Sequence, residues 1–146
     1  MRKTATIRRT VLLAGLSIAA GSVVALAAMN PAQQAVYDNY TAAAKKADPA
    51  FKGFSADKGR AFFHAKQTGG KPDSPSCTSC HTENLKGLGK TRAGKDIQPM
   101  AASANPKRFT DPADVEKWFS RNCPDVLGRE CTVTEKGDVL TYLLSQ

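Results

Sequence analysis

The spacing of apolar and polar residues along the chain predicts helices. No strand pattern longer than a few residues is present. The first predicted helix begins at Asn30-Pro31, a cap followed by a proline in the first turn, and its alanine-rich sequence continues to about Ala47. A second begins at Ser55 and continues to Gln67, with its apolar residues on one face. These features favour an all-α fold.

Two further helices are predicted near the end of the chain. Asp111 followed by a proline begins the third, which carries an apolar face and is expected to end at Cys123, before Pro124. Thr132 and Glu135 have the capping-box spacing and precede the last helix. The apolar faces of these helices imply one shared core, and a chain of this length is expected to form one domain.

The segment between the second and third helices has few apolar residues. After His81 it is rich in glycine, lysine and proline up to Arg108, which predicts a long loop with little regular structure. A loop of that length is uncommon in a small domain unless it surrounds something. The sequence therefore predicts that the chain wraps around a cofactor.

The N-terminus carries a different signal. Basic residues at positions 2–9 precede the apolar run VLLAGLSIAA, and small residues at Ala25 and Ala27 fit a signal-peptidase site. An uncleaved membrane anchor is the alternative, but the strongly apolar part is shorter than the roughly 20 residues that span a bilayer. We expect a signal peptide over residues 1–27, an N-terminal helix and connector over 28–54, and the main domain over 55–146. Export would place the protein in the periplasm.

Charge excludes one class of function. Without residues 1–27 the chain has 17 basic and 13 acidic residues, and its net charge is 17 − 13, or +4. No cluster of lysine and arginine is interleaved with aromatic residues, as a nucleic-acid surface requires. The small excess suits an acidic redox partner, although a solvated surface is the plainer explanation.

The sequence SPSCTSCHTENL contains the pattern C-x-x-C-H at Cys77, Cys80 and His81. This pattern is typical of covalent attachment of haem c, with two thioethers and a histidine ligand whose other ring nitrogen donates to a backbone carbonyl. A zinc site would need a second close pair, and a thioredoxin-like motif would need a βαβ context. We therefore expect one haem c, held by both cysteines, with His81 on one face of the iron.

The two remaining cysteines, Cys123 and Cys131, form an even pair in an exported chain. An oxidising compartment then favours a disulfide between them. Such a short loop would stabilise the fold by about 2.5 kcal/mol in the chain-entropy description.

Three side chains are candidates for the second axial position of the iron. Met100 is 19 residues after His81 and could supply a thioether. His64 precedes the motif, but a histidine on a half-exposed helix face is more often an ordinary surface residue. Asn122 stands one turn after Trp118 and directly before Cys123, where an asparagine is usually a capping residue. The spacing alone does not choose among them.

A family resemblance changes this balance. The blocks GGKPDSPSCTSCH, TRAGKDIQP, NPKRFTDPADVEKWFSRNC, VLGRECT and EKGDVL resemble the sphaeroides haem protein family of monohaem c-type cytochromes, from about Ser55 to Gln146. The resemblance implies a class I cytochrome c-like fold around one haem, with the N-terminal helix as an addition. It also implies a high-spin haem whose distal ligand is the asparagine at position 122, with the Cys123–Cys131 disulfide beside it.

The resemblance further implies a function. The family's asparagine leaves the iron on reduction, so that O2 or NO can bind, while a partner cytochrome, dihaem or membrane-bound, exchanges electrons. Trp118, Arg92, Lys95 and Arg108 are candidates for the haem pocket, the last three as partners of the haem propionates. The alternatives are a plain electron-transfer cytochrome with a permanent Met100 ligand, and a terminal reductase or oxidase, for which no dedicated distal histidine is present.

Overall fold

A computed structural model describes residues 29–146, so the predicted signal peptide lies outside the described residues. Five helices and one two-stranded antiparallel ribbon follow one another in this order: α1 Pro31–Ala47, α2 Ala56–His64, α3 Thr78–His81, β1 Gly89–Lys90, β2 Asp96–Ile97, α4 Pro112–Leu127 and α5 Val133–Leu144. The described part of the chain is therefore all-α apart from this short ribbon, which lies inside the predicted loop.

Local capping fixes where the helices begin. The Asn30 side chain accepts a hydrogen bond from the Gln33 backbone N–H, and the Gln33 side chain accepts one from the Asn30 N–H. Thr132 and Glu135 form the same reciprocal pair at the start of α5. These bonds satisfy amide groups that have no partner inside a helix. The capping residues predicted from the sequence are confirmed.

The crossing of α2 and α5 is the centre of the fold. Gly59 on α2 lies so close to α5 that a Cβ there would be 1.9 Å from the Asp138 carbonyl oxygen. This approach packs Phe63 against Val139 and Leu143 in one apolar cluster. A second cluster joins α1 to α5 and α4 through Val36, Leu140, Leu144 and Val115.

The helix α2 ends at His64, three residues earlier than predicted. Beyond it, the Gln67 N–H donates to the Pro75 carbonyl oxygen at 2.7 Å, which turns the chain into the loop before the cysteine motif. The prediction was wrong because this partner is distant along the chain and leaves no local sequence signal.

The helix α4 does not end before Pro124 but continues to Leu127. A proline inside a helix removes the hydrogen bond to the carbonyl four residues earlier, here that of Ser120, an exposed residue. Gly128 ends the helix instead, in the left-handed conformation at φ 71°. As a result Asn122 lies within α4 and is not a capping residue.

Between residues 29 and 146, no helix is both long and apolar enough to cross a membrane.

Candidate functional site

The cysteine motif forms a single helical turn, α3. The Cys77 carbonyl oxygen accepts hydrogen bonds from the N–H groups of Cys80 and His81, at 3.3 and 3.1 Å. This turn brings both thiols and the imidazole to one short segment. Both thiols are free and half-buried, and burial raises the pKa of Cys77 to about 11.

His81 is largely buried and its imidazole is neutral. Burial, with a smaller effect from the Arg108 charge, lowers the pKa of His81 to about 4. Its Nδ1 atom is buried and has no hydrogen-bond partner among the described residues, so the expected bond to a backbone carbonyl is not formed. A neutral, uncommitted imidazole is the form that binds a metal.

A glycine holds the motif turn in place. A Cβ at Gly89 would lie 2.3 Å from the Cys80 carbonyl oxygen and 3.1 Å from the His81 Cα. Only glycine therefore allows β1 to pack directly on the turn. On the other side, the Phe63 ring from α2 lies 6.1 Å from the His81 ring, centroid to centroid.

The loop before the motif is anchored to the end of α4. A Cβ at Gly69 would lie 2.3 Å from the Leu127 carbonyl oxygen, and Gly70 approaches the backbone of Asp125 and Val126 equally closely. The Lys71 N–H donates to the Asp125 carbonyl oxygen at 2.7 Å. From the sequence alone a Gly-Gly pair predicts only a loop, so this anchoring role was missed.

Asn122 and Trp118 share one face of α4, since they are four residues apart. Both are exposed, Trp118 by 45%, and the Asn122 side chain makes no hydrogen bond to the described residues. Cations from Lys117 and Arg121 lie 5.4 and 5.6 Å from the Trp118 ring centroid. Asn122 thus presents an uncommitted amide beside a large aromatic surface.

The disulfide partners stand directly after Asn122. Cys123 is buried in α4 and is bonded to Cys131, which lies just before α5, with Cα atoms 5.6 Å apart. The bridge therefore ties the helix that carries Asn122 to the start of α5.

These residues fit a covalently bound haem. Leu88, beside the motif turn, and Trp118 on α4 are the large apolar side chains exposed among residues 29–146. Cys77 and Phe119 pack against the same core cluster, so the motif and α4 contact one shared apolar surface. Haem c needs two thiols and a neutral imidazole as donor groups, together with apolar surface around them, and these residues supply both.

The other axial candidates have different surroundings. Met100 is half-buried against the cluster that includes Cys77, and its N–H donates to the Leu85 carbonyl oxygen at 2.9 Å. Both ring nitrogens of His64 have partners, Glu83 at 2.6 Å and the Tyr142 hydroxyl at 3.0 Å. His64 is therefore committed to joining α2, α5 and the segment after the motif.

The basic candidates separate into three kinds. Arg92 pairs with the carboxylates of Asp125 and Asp73, at 3.1 and 3.4 Å. Lys95 is exposed in the turn of the ribbon. Arg108 is half-buried, donates to the Gln98 carbonyl oxygen at 2.7 Å, and is close enough for its charge to affect His81.

Comparison with known proteins gives consistent relatives. Residues 49–143 match the family described as "Domain of unknown function (DUF1924)". The cytochrome c-type protein SHP of Cereibacter sphaeroides is 57% identical over 91 residues, which cover 62% of this chain and 70% of that protein. Cytochrome c'' of Methylophilus methylotrophus is 39% identical over 123 residues, 84% of this chain and 85% of the relative.

Solved structures agree with these matches. The structure of oxidised SHP, described as an oxygen-binding cytochrome c, has a TM-score of 0.71 and 49% identity, covering 78% of this chain and 96% of that one. The chain belongs to the sphaeroides haem protein family. It is a monohaem c-type cytochrome with a class I-like helical fold and one haem c.

Cytochrome c'' has a similar fold. Its solution structure, described as giving insights into the structural basis of haem-ligand detachment, has a TM-score of 0.65 and 37% identity, covering 78% of this chain and 93% of that one. The family assignment predicted from the sequence blocks is confirmed, and so are the helical cytochrome fold and the single haem c.

Proposed function

We propose that this cytochrome transfers electrons and binds O2 or NO at an axial position that Asn122 leaves when the iron is reduced. Cys77 and Cys80 would hold the haem through thioethers, and His81 would be the permanent ligand of its iron. The observation that carries the proposal is the uncommitted Asn122 amide beside Trp118, on a helix whose end is anchored to the loop before the motif.

When bound, the haem would supply an iron that changes between the ferric and ferrous states by one electron. The Asn122 side-chain oxygen is a neutral, hard donor, which suits ferric iron better than ferrous iron. Its bond to the iron would therefore be weaker after reduction, and the amide would then be free to withdraw. Once displaced, the same amide can donate a hydrogen bond to a diatomic ligand.

The neighbours of Asn122 limit its movement. Cys123, the next residue, is buried and tied to Cys131, so the backbone on that side is fixed. Withdrawal would then require only rotation of the Asn122 side chain, while Trp118 would supply apolar surface to the porphyrin. The disulfide and the detachable amide act together in this proposal.

The descriptions of two solved relatives, SHP and cytochrome c'', support the proposal. The solved SHP is described as oxygen-binding, and the work on cytochrome c'' concerns detachment of a haem ligand. By analogy we assign O2 or NO binding and ligand detachment to this chain.

The location and partner are part of the same proposal. We assign a signal peptide to residues 1–27, a connecting helix to 28–54 and the cytochrome domain to 55–146, with a periplasmic partner cytochrome as electron donor. Arg92 already pairs with two carboxylates and Lys95 is exposed at the turn of the ribbon, so we assign the haem propionates to Arg108, which is half-buried near His81.

One observation favours a second candidate function. Met100 is half-buried in the cluster that contains Cys77, so a permanent His81 and Met100 ligand pair would make the protein a plain electron shuttle. A thioether binds both iron oxidation states well, and no position would open on reduction.

Optical spectra of the oxidised and reduced holoprotein, with and without carbon monoxide, separate the two functions. We expect a high-spin ferric spectrum and a clear shift when carbon monoxide is added to the reduced protein. Low-spin spectra in both oxidation states, with no response to carbon monoxide, would establish the shuttle instead.

A further inference from the structure

The excess positive charge of the chain is concentrated in one structural unit. We define the basic hairpin as residues 85–101, which contain the two strands of the ribbon and the turn between them. It carries four basic residues and one acidic residue, a net charge of 4 − 1, or +3. The rest of residues 29–146 carries 13 basic and 12 acidic residues, a net charge of +1. A solvated surface of mixed charge would spread the excess more evenly.

The basic hairpin is held in a defined shape. At its base, the N–H groups of Met100 and Ala101 both donate to the Leu85 carbonyl oxygen at 2.9 Å. At its tip, the Thr91 N–H donates to the Lys95 carbonyl oxygen at 2.8 Å. Its backbone therefore holds the Cα atoms of these basic residues in a defined arrangement.

Two of its lysines are not engaged by carboxylates of the described residues. Lys90 forms an ion pair with Asp96, and Arg92 pairs with Asp73 and Asp125. Lys86 and Lys95 are both exposed, and neither forms an ion pair within residues 29–146. These two ammonium groups are available to a negatively charged surface.

The hairpin also touches the segment that attaches the haem. Gly89 packs directly on the backbone of Cys80 and His81, at the distances given above. A partner seated on the hairpin would therefore lie next to the turn whose cysteines and histidine would hold the haem.

We propose that the basic hairpin is the docking surface for an acidic electron-transfer protein, with Lys86 and Lys95 as its main electrostatic contacts. This inference rests on the proposed electron-transfer role. Docking would bring the partner's redox centre next to the turn that carries Cys80 and His81, on which Gly89 packs.

The test measures electron-transfer rates of the reduced holoprotein under argon. The ferrous haem loses one electron, and the oxidant, ferricyanide or a cationic cobalt(III) phenanthroline complex, gains it. Ionic strength is kept near 0.1 M, where the screening length is about 10 Å and distant charges have little effect. The variant Lys86→Glu/Lys95→Glu is compared with Lys45→Glu/Lys52→Glu, which makes the same charge change at exposed positions elsewhere.

We expect the hairpin variant to react more slowly with ferricyanide, on the order of tenfold, and faster with the cationic oxidant. The control should change either rate by less than about twofold. A changed reduction potential would move both rates in the same direction, so opposite changes isolate the surface charge. Equal effects of the two variants would overturn the proposal.

A protein probe tests docking itself. Higher-plant plastocyanin is an acidic copper protein, and its Cu(II) takes the electron to become Cu(I). The rate with plastocyanin should fall in the hairpin variant and in the milder Lys86→Gln/Lys95→Gln variant. A ferricyanide effect without a plastocyanin effect would reject docking at this surface. The opposite effects of one charge change on the anionic and cationic oxidants arise at the surface whether or not Asn122 detaches, so the two proposals fail separately.

Discussion

At the level of single residues, the site depends on groups that have no other task. The Cys77 and Cys80 thiols are free, the His81 imidazole is neutral, and the Asn122 amide makes no hydrogen bond to the described residues. His64, by contrast, is bonded through both ring nitrogens. The proposed ligands differ from His64 because their side chains have no hydrogen-bond partner among the described residues.

The thioethers give the first prediction. Replacing Cys77 and Cys80 together with serine should abolish covalent haem, because serine hydroxyls do not form the thioether bonds. Haem staining after denaturing electrophoresis measures this directly. The matched control is Cys123→Ser/Cys131→Ser, which also removes two sulfur atoms and should keep its stain. A stained band from the Cys77/Cys80 variant would refute the assignment.

At the level of helices, close backbone approaches determine how the elements meet. Gly59 lets α2 cross α5, Gly89 lets β1 rest on the motif turn, and Gly69 lets the loop before the motif meet the end of α4. The first contact sets the crossing at the centre of the fold, and the other two position the motif turn and the helix that carries Asn122.

The α2–α5 crossing gives the second prediction. Gly59→Ala would place a methyl group 1.9 Å from the Asp138 carbonyl oxygen, so the helices must separate. We expect the free energy of unfolding to fall by about 3 kcal/mol, at the upper end of the range for overpacked cores. Urea denaturation of the holoprotein measures it, with Ala61→Ser on the exposed face of α2 as control. Equal stabilities of the two variants would show that the crossing tolerates the methyl group.

The sequence predicted where helices begin better than where they end, and the reason is physical. The starts of α1 and α5 were predictable because Asn30 and Thr132 cap residues only three positions away. The continuation of α4 through Pro124 and the early end of α2 depend on partners elsewhere in the fold. The same reason limits the site: C-x-x-C-H is a local pattern, whereas the role of Asn122 came from resemblance.

At the level of the whole molecule, one carboxylate joins three helices. Glu116 on α4 accepts a hydrogen bond of 2.8 Å from the Tyr40 hydroxyl on α1 and another from the Lys136 ammonium on α5. The N-terminal helix is thereby connected to the helix that carries Asn122. The basic hairpin contacts the other end of α4, where Arg92 pairs with Asp125, and it carries most of the net charge.

This carboxylate gives a prediction about acid stability. Partial burial raises the pKa of Glu116, but hydrogen bonds from Lys136 and Tyr40 outweigh it, and the pKa lies below its ordinary value of 4.5. The folded state therefore binds the proton less tightly than the unfolded state. The stabilisation is fully present above pH 4.5 and is lost as the pH falls through the lower, folded value.

Urea denaturation as a function of pH measures this effect. Glu116→Gln should be less stable than the wild type at neutral pH, and the difference should shrink as the pH falls below 4.5. Glu130→Gln, an exposed carboxyl just before α5, serves as the control. A constant difference between Glu116→Gln and the wild type across the acid range would contradict the assignment.

The central claim is that Asn122, and not Met100, occupies the second axial position of ferric iron. The most direct test compares the ferric optical spectra and the carbon monoxide affinities of Asn122→Ala and Met100→Ala holoproteins. We predict that Asn122→Ala changes the ferric spectrum and tightens carbon monoxide binding to the reduced protein, whereas Met100→Ala leaves both close to the wild type. If only Met100→Ala alters the spectrum, the protein is a His–Met electron shuttle and the claim is wrong.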